Sequence, residues 1–311
     1  MRPSDVLRLV VLGAIWGSSF LLMKIALDAF SPVQLVAGRI VAGALTLVVL
    51  LAVLGVELPR DASVWRLLAF MGLVANLVPF LLIAWGQQYI TSAMASILNS
   101  TTPLFTATFA AIALAEERMT LLRALGIAIG FVGVAVIVGV DTGGSIGGQL
   151  LIVAAAALYG LGFVFSRRNL SGRGLSPLAL PAGQLLVSSL VVVPLAVGDS
   201  LAFEPPSFGW LESLSVLALG TFGTGAAFYL YYRLVEDVGA TSASFVTYLI
   251  PVFGVFLGWM VLGERIGPNA LLGAAIVIAG ITLAERARSD QGSSDEVSTT
   301  SKAEPVTSPR V

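Results

Sequence analysis

The sequence has no cysteine and no histidine among its 311 residues, and only 11% of them are charged. Without cysteine there are no disulfides or thiolate chemistry, and without histidine the commonest metal ligand and proton relay are missing. Soluble domains carry about 25% charged residues, so a chain that is 57% hydrophobic with a mean hydropathy of +0.95 is expected to have lipid as its main solvent. No basic domain is present, which argues against a nucleic-acid partner. We expect no cofactor and no metal.

The spacing of charged residues predicts membrane-spanning helices, because a bilayer core needs about 20 apolar residues per helix. One uncharged stretch, Leu67 to Ala115, is too long for one crossing at about 1.5 Å per residue, and its polar run from Gln87 to Ser92 predicts a turn. The sequence therefore predicts an all-α integral membrane protein with ten transmembrane helices, over residues 6–27, 33–55, 65–87, 92–115, 122–140, 148–168, 177–197, 210–233, 240–262 and 269–286.

The arginines predict the orientation of these helices. If the N-terminus is cytoplasmic, nearly all arginines at helix ends are cytoplasmic, and only Arg265 lies outside. We therefore expect both termini in the cytoplasm. The apolar run at 6–27 is expected to be the first membrane helix and not a cleaved signal, because it is long and no A-x-A site follows it. The tail at 289–311, rich in Ser, Thr and Pro, is expected to be disordered.

The chain also contains an internal duplication. The stretch from Ser92 to Gly133 aligns with the stretch from Ala240, so that Ser96 matches Ser244, Pro103 matches Pro251 and, after a shift of one residue, Glu117-Arg118 matches Glu264-Arg265. The similarity continues elsewhere, with Trp16-Gly17-x-x-Phe20-x-x-x-Lys24 matching Tyr159-Gly160-x-x-Phe163-x-x-x-Arg167, Ser31-Pro32 matching Ser176-Pro177, Arg39 matching Gln184, and Asn76 matching Thr224.

This duplication predicts a first repeat at 1–140 and a second at 141–288, each of five helices. Five is an odd number, so the second repeat is expected to enter the membrane upside down relative to the first. Inverted repeats are typical of alternating-access transporters, whose substrate site lies near the membrane midplane between the halves.

Two prolines indicate where that site is expected. Pro103 and Pro251 each lie midway along a predicted helix, and each leaves the carbonyl four residues earlier, that of Asn99 or Thr247, without its helical donor. Such a carbonyl must face protein or a wet cavity. A plain kink healed by neighbouring hydroxyls is the alternative.

Polar residues at three-to-four spacing form a stripe along each proline-containing helix. The stripe comprises Ser92, Ser96, Asn99, Pro103 and Thr106 on the fourth helix, and Thr241, Ser244, Tyr248 and Pro251 on the ninth. The predicted substrate-binding set comprises Trp16, Arg39, Asn76, Ser96, Asn99, Pro103, Tyr159, Thr224, Ser244, Tyr248 and Pro251. For the small hydroxyls the alternative is packing between helices. Lys24 is expected to reach the headgroups from the end of helix 1. Arg39 is expected either to bind a substrate carboxylate or to bond carbonyls at a helix end.

The acidic residues lie at corners, and Glu117-Arg118 and Glu264-Arg265 are expected to turn the chain and meet headgroups. Because no Asp or Glu lies deep in a predicted span, we expect uniport, exchange or coupling through substrate charge. Gly13-x-x-x-Gly17 and Gly126-x-x-x-Gly130 permit close helix approach. Packing within the chain explains them, and a homodimer stays open.

The segments WGSSFLLMKIAL in helix 1 and YLIPVFGVFLGWMVLGERIGPNALLGAAIVIAGITL in helices 9 and 10 resemble EamA-type proteins of the drug/metabolite transporter superfamily. The resemblance covers about residues 8–286. It implies two five-helix EamA repeats and export of small metabolites across the bacterial inner membrane, with an amino acid-like or drug-like solute and the lipid bilayer as partners.

Two other functions fit the sequence less well than transport. An intramembrane enzyme would need a nucleophile and base, a metal set or paired carboxylates at depth, and none is apparent in this sequence. A non-transporting membrane sensor or assembly protein would need a sizeable extramembrane domain. We therefore expect a transporter and not an enzyme.

Overall fold

The computed structural model describes residues 2–114, 117, 119–138, 145–202 and 209–302, with 240–242 and 287–302 described as backbone only. Regular structure in these residues is helical: α1 Pro3–Ala26, α2 Pro32–Leu54, α3 Ala62–Gly72, α4 Val78–Gln87, α5 Ser92–Asn99, α6 Thr102–Ala113, α7 Leu121–Val138, α8 Ile146–Asn169, α9 Ala179–Ala202, α10 Trp210–Gly220, α11 Ala227–Ala243, α12 Val246–Leu262 and α13 Pro268–Lys302. Within the described residues, eight helical stretches are long and apolar enough to cross a membrane, and Val246–Leu262 is a shorter apolar helix. The predicted all-α membrane fold is confirmed.

Several predicted helices are interrupted. The third consists of α3, a π-helical segment Leu73–Leu77 and α4, and the eighth consists of α10, a π-helical segment Thr221–Ala226 and α11. The non-helical Gly239 within α11 separates the eighth helix from the start of the ninth. The fourth helix is broken at residues 100–101, between α5 and α6. The ninth is broken at residues 244–245, four residues earlier in the repeat alignment, and α12 then runs through Pro251. The two repeats therefore share their order of elements but differ in conformation around the prolines.

The contact between α2 and α9 shows that the repeats are inverted. These helices occupy equivalent places in the two repeats, since each follows a Ser-Pro pair. Ser31, which caps the start of α2, donates its hydroxyl hydrogen to Asp199 near the end of α9 over 2.5 Å. Equivalent helices thus begin on opposite faces. We call the face where α1 begins the amino face, and the face where α1 ends the distal face.

Glycines allow the closest helix pairs to touch through their backbones. A Cβ atom at Gly133 in α7 would lie 2.7 Å from the backbone nitrogen of Val277 in α13, and one at Gly17 in α1 would lie 2.9 Å from the carbonyl oxygen of Ile250 in α12. Both contacts join helices of different repeats. Small residues serve this purpose in membranes, where backbones approach only if no side chain intervenes.

At the carboxyl end, the membrane-spanning part of α13 covers Pro268–Arg286, and the helix continues to Lys302. It therefore passes residue 289, where the predicted disordered tail begins. Residues 303–311 of that tail lie outside the described residues. The disorder of the tail stays a prediction.

Candidate functional site

Two π-helical segments, at equivalent positions in the two repeats, present polar side chains to the middle of the molecule. Asn76 lies in the first and Thr224 in the second, and both are buried. The Thr224 hydroxyl donates to the carbonyl oxygen of Leu219, five residues earlier, over 3.0 Å. A π turn widens a helix by one residue and is frequent at functional sites. Here it turns each polar side chain toward the opposite repeat.

Each of these side chains hydrogen bonds with a residue of the other repeat. The Arg39 Nε–H of α2 donates to Thr224 Oγ1 over 3.1 Å, and Asn76 Nδ2 donates to Gln184 Oε1 of α9 over 2.9 Å. Arg39 and Gln184 are repeat counterparts, as are Asn76 and Thr224. The two hydrogen bonds are therefore related by the approximate two-fold axis, and they join the repeats at mid-depth.

Arg39 is the charged member of this set. It is 6% exposed, and its guanidinium carbon lies 3.8 Å from the centre of the Phe80 ring. In the described part of the chain, no ion pair includes Arg39. A buried guanidinium with one neutral acceptor and one ring face is an expensive group to retain for packing alone. Because Nε is held by Thr224, the two terminal nitrogens keep their hydrogens available to a ligand.

These residues line a cavity of about 220 Å³. Most of its wall consists of repeat counterparts, namely Trp16 with Tyr159, Ser19 with Gly162, Phe20 with Phe163, Met23 with Ser166, Arg39 with Gln184, Ala75 with Gly223, Asn76 with Thr224, Phe80 with Phe228, Ile83 with Tyr231, Asn99 with Thr247, and Thr102 with Ile250. A cavity built from equivalent positions of two inverted repeats lies on the axis that relates them. Transporters of this architecture hold their substrate in that place.

Three lining residues have no lining counterpart: Met71, Ser100 and Tyr232. The counterparts of Met71 and Tyr232 are Leu219 and Ala84, and both are fully buried. Met71 and Tyr232 lie on the amino-face side of the cavity, and Leu219 and Ala84 lie on the distal side. Toward the amino face the lining residues Ser166 and Tyr231 are partly exposed, whereas their counterparts toward the distal face, Met23 and Ile83, are 1% and 3% exposed. The cavity is therefore more open toward the amino face and closed on the distal side.

The cavity brings together six of the eleven predicted site residues: Trp16, Arg39, Asn76, Asn99, Tyr159 and Thr224. The other five do not line it: Ser96, Pro103, Ser244, Tyr248 and Pro251. Ser96 donates to the carbonyl oxygen of Ala93 over 2.8 Å, and Tyr248 donates to Glu285 Oε2 over 3.1 Å. These five therefore lie outside the wall of this cavity, and the structure does not bring them together with the other six. Whether any of the eleven binds a solute stays a prediction.

The break between α5 and α6 explains why the predicted polar stripe divides. A continuous helix would place Ser92, Ser96 and Asn99 on one face, but the chain turns at Ser100–Thr101. Ser92 and Ser96 consequently face α12, where Ser96 packs against Gly254, and Asn99 faces the cavity. Asn99 and Thr247, the residues whose carbonyls the prolines release, line the wall. The Thr102 hydroxyl heals one break by donating to the carbonyl of Asn99 over 2.8 Å.

Sequence reasoning missed much of the aromatic wall, including Phe20, Phe80, Phe228, Tyr231 and Tyr232. Trp16 packs against Tyr231 with ring centres 5.5 Å apart, and Phe80 meets Tyr159 edge to face at 6.5 Å. Phe20 was already part of the duplicated motif, so its match with Phe163 was the available signal. The apolar surroundings of these rings hid them, since membrane helices are hydrophobic on every face.

Three charged residues expected at the headgroups have protein partners. The Lys24 ammonium donates to the carbonyl oxygens of Gln87 and Ile90, over 2.5 and 3.0 Å. Glu264 accepts hydrogen bonds from the Ser92 and Ala93 backbone at the start of α5, and Glu117, 6% exposed, pairs with arginines. Each of the three charges therefore has a protein partner at a corner, and their contact with headgroups stays a prediction. A short polar corner in lipid leaves helix-end groups without partners, and these charges supply them.

The comparisons with known proteins agree with this architecture. The model of the EamA-like transporter family matches residues 5–139 and again residues 146–285. One solved crystal structure, 22% identical in sequence, superimposes with a TM-score of 0.64 over 93% of this chain and 99% of its own. That likeness supports the fold alone.

Curated relatives of similar length are named as transporters. An uncharacterized transporter, YoaV, of Bacillus subtilis is 25% identical, over 89% of this chain and 94% of its own. A probable terminal-alkyne amino-acid exporter of Streptantibioticus cattleyicolor is 26% identical, over 92% and 95%. An S-adenosylmethionine/S-adenosylhomocysteine transporter of Chlamydia muridarum is 27% identical, over 91% and 92%.

The repeated family domain and the names of the relatives identify a multi-pass membrane transporter, not an enzyme. The chain belongs to the EamA-like transporter family and contains its domain twice.

Proposed function

We propose that the protein exports a small amino acid-like solute that carries a carboxylate, by exposing the axial cavity alternately to the two faces of a bacterial inner membrane. The termini would be cytoplasmic, so the amino face would be the loading side. The described cavity extends toward that face, as a carrier waiting for a cytoplasmic solute requires. A relative named as an inner membrane transporter, and another named as an amino-acid exporter, agree with this assignment.

The observation that supports a carboxylate is the position of Arg39. Its guanidinium is buried in the cavity wall, held through Nε by Thr224 and stacked on Phe80. Among the described residues, no Asp or Glu lines the cavity. A guanidinium recognises a carboxylate by two parallel hydrogen bonds from its nitrogens. A solute carboxylate would supply the charge that the described cavity wall does not.

Asn99 supplies a complementary acceptor. Its Oδ1 is buried and has no hydrogen-bond partner among the described residues, and an unmade bond of this kind costs about 1–3 kcal/mol. A donor on the solute, such as an ammonium or amide N–H, would satisfy it once the Asn99 amide rotates its oxygen toward the cavity that the residue lines. Arg39 and Asn99 together suit a zwitterion, and Phe20 and Tyr159 offer an apolar wall to its side chain.

The size of the cavity limits the solute. On this measure of volume one water needs about 10–15 Å³, so a cavity of about 220 Å³ has room for roughly fifteen water-sized groups. An amino acid fits this space. A solute as large as S-adenosylmethionine would need the cavity to widen.

The test is counterflow in proteoliposomes, with labelled L-amino acids and the amines formed by decarboxylating each of them. The proposal expects at least one amino acid to exchange and its amine to exchange at least about tenfold less well, since a charge-assisted hydrogen bond is worth about 1.5–3 kcal/mol. Flux of the amine equal to that of its amino acid would refute the carboxylate. Liposomes with a heat-unfolded sample serve as the control.

A further inference from the structure

Four charged residues occupy repeat-related positions near the two faces. Lys24 at the end of α1 corresponds to Arg167 at the end of α8, and Glu264 after α12 corresponds to Glu117 after α6. On the amino face the pair is formed, because Arg167 Nη1 lies 2.6 Å from Glu117 Oε1. On the distal face no ion pair joins Lys24 to Glu264 in the part of the chain that the structure describes.

The α4–α5 corner, residues 88–91, separates the two distal charges. Lys24 donates to the carbonyls of Gln87 and Ile90 where α4 ends, and Glu264 accepts from Ser92 N, Ser92 Oγ and Ala93 N where α5 begins, over 2.8–2.9 Å. A cation at a helix C-terminus and an anion at a helix N-terminus are both favoured by the helix dipole. On the distal side, the corner thus offers each charge a partner.

The equivalent corner on the amino face lies around Gly239, which has a left-handed backbone conformation with φ of 82°. There the two counterpart charges, Arg167 and Glu117, bond directly to each other. The cavity extends toward this same face. On the closed distal face a corner of the chain therefore lies between the two charges, whereas on the open amino face the two charges form a direct ion pair.

From this difference we propose that the two faces exchange these arrangements during the transport cycle. The face with a corner between its charges forms the direct ion pair, and the face with the ion pair receives the corner. In the state that opens to the distal face, residues 88–91 withdraw and Lys24 pairs with Glu264. In the same state the Gly239 corner moves between Arg167 and Glu117. Inverted repeats reach their second state when the halves exchange conformations, and this inference rests on the proposed alternating access.

The exchange explains how the charged residues near both faces keep their partners while the two repeats move. In each state every one of the four charges keeps a partner, either a helix end or an opposite charge. Neither state leaves an uncompensated ion near the lipid, so the two can lie within the few kcal/mol that a solute can overcome.

Cross-linking tests the exchange in the intact chain, which has no cysteine of its own. The double variant Lys24→Cys with Glu264→Cys is purified, placed in liposomes and treated with a short bifunctional thiol reagent. Adding Arg167→Gln removes the amino-face pair and should raise the cross-linking rate about two- to fivefold, the population shift expected from a partly exposed ion pair. Arg168→Gln, at the neighbouring exposed position, and Arg167→Lys, which keeps the charge, should leave the rate unchanged.

The inference is overturned if Arg167→Gln and Arg168→Gln give the same rate, or if no cross-link forms in samples that elute as folded protein. Flux measured in parallel on the wild type separates this result from the proposed function. If the wild type transports a solute but Arg167→Gln does not raise the cross-linking rate, only the proposed exchange is refuted. Absence of flux for every solute, with the rate change present, counts against the transport assignment and supports the motion.

Discussion

Replacing Arg39 with glutamine, the residue at its repeat counterpart, separates a ligand-binding cation from a structural one. The guanidinium is 6% exposed, donates to Thr224 over 3.1 Å and stacks on Phe80 at 3.8 Å. Losing these contacts costs about 1 kcal/mol for the hydrogen bond and about 0.5–2 kcal/mol for the cation–π contact. Removing the ion also removes its desolvation penalty, which is several kcal/mol.

The two effects on the folded protein have opposite signs and similar size, so Arg39→Gln is expected to leave the melting temperature unchanged or slightly raised. Affinity for a carboxylate solute should fall by about 1.5–3 kcal/mol, which is roughly 10- to 150-fold. The assay is the concentration dependence of counterflow, with the melting temperature of the same sample measured in detergent.

A second buried arginine provides the matched control. Arg123 is 2% exposed and its guanidinium lies 2.9 Å from Glu117. Arg123→Gln leaves a buried carboxylate with fewer donors, so it should destabilise the protein by about 1–3 kcal/mol and leave solute affinity unchanged. If Arg39→Gln instead lowers the melting temperature as Arg123→Gln does, and transports with wild-type affinity, then Arg39 is a structural cation and the carboxylate argument is refuted.

Three further variants test other contacts. Asn99→Leu removes the buried acceptor and should impair counterflow by about tenfold with normal expression. Glu264→Ala removes the acceptor at the start of α5 and should cost about 1–2 kcal/mol, seen as a lower melting temperature, whereas Arg265→Gln should have no effect. Gly17→Ala places a Cβ 2.9 Å from a backbone oxygen and should cost about 1–3 kcal/mol, whereas Gly198→Ala, with open space around it, should be neutral or slightly stabilising.

A different result would contradict each of these three predictions. Unchanged counterflow in Asn99→Leu would remove that residue from the site. A wild-type melting temperature in Glu264→Ala would mean that the carboxylate adds nothing to the α4–α5 corner. Equal melting temperatures for the two glycine variants would mean that α1 and α12 can separate without loss.

The fold was predictable because the duplication survives in residues that sequence comparison detects. The Ser-Pro pairs mark the starts of α2 and α9, and the odd number of helices per repeat dictates inversion. The lengths of the hydrophobic segments predicted the ends of most helices to within a few residues. The π-helical segments were not predictable from their sequences. The first is followed by Pro79, and the second contains glycines at 223 and 225, but neither pattern by itself implies a π turn.

The site was only half predictable, and the reason lies in helix register. Asn76 and Thr224 were found through repeat alignment, which does not depend on register. Ser96 was assigned from a stripe on a continuous helix, and the break at residues 100–101 turns that stripe away from the cavity. In a membrane helix both the lipid-facing and the protein-facing sides are apolar, so hydrophobicity does not distinguish them. Only the repeat symmetry and the polar residues could therefore indicate which residues line the cavity.

The central claim is that one cavity on the axis between the repeats is reached from both faces in turn. Ser100 lines it, and Ser100→Cys can be labelled with a membrane-impermeant thiol reagent in sealed vesicles of each orientation. Arg60→Cys and Asp28→Cys, exposed at the amino and distal faces respectively, report which side the reagent reaches. We predict that Ser100→Cys reacts from both faces, faster from the amino face, and that a transported solute protects it from both. Reaction from one face only, with and without solute, would contradict the account.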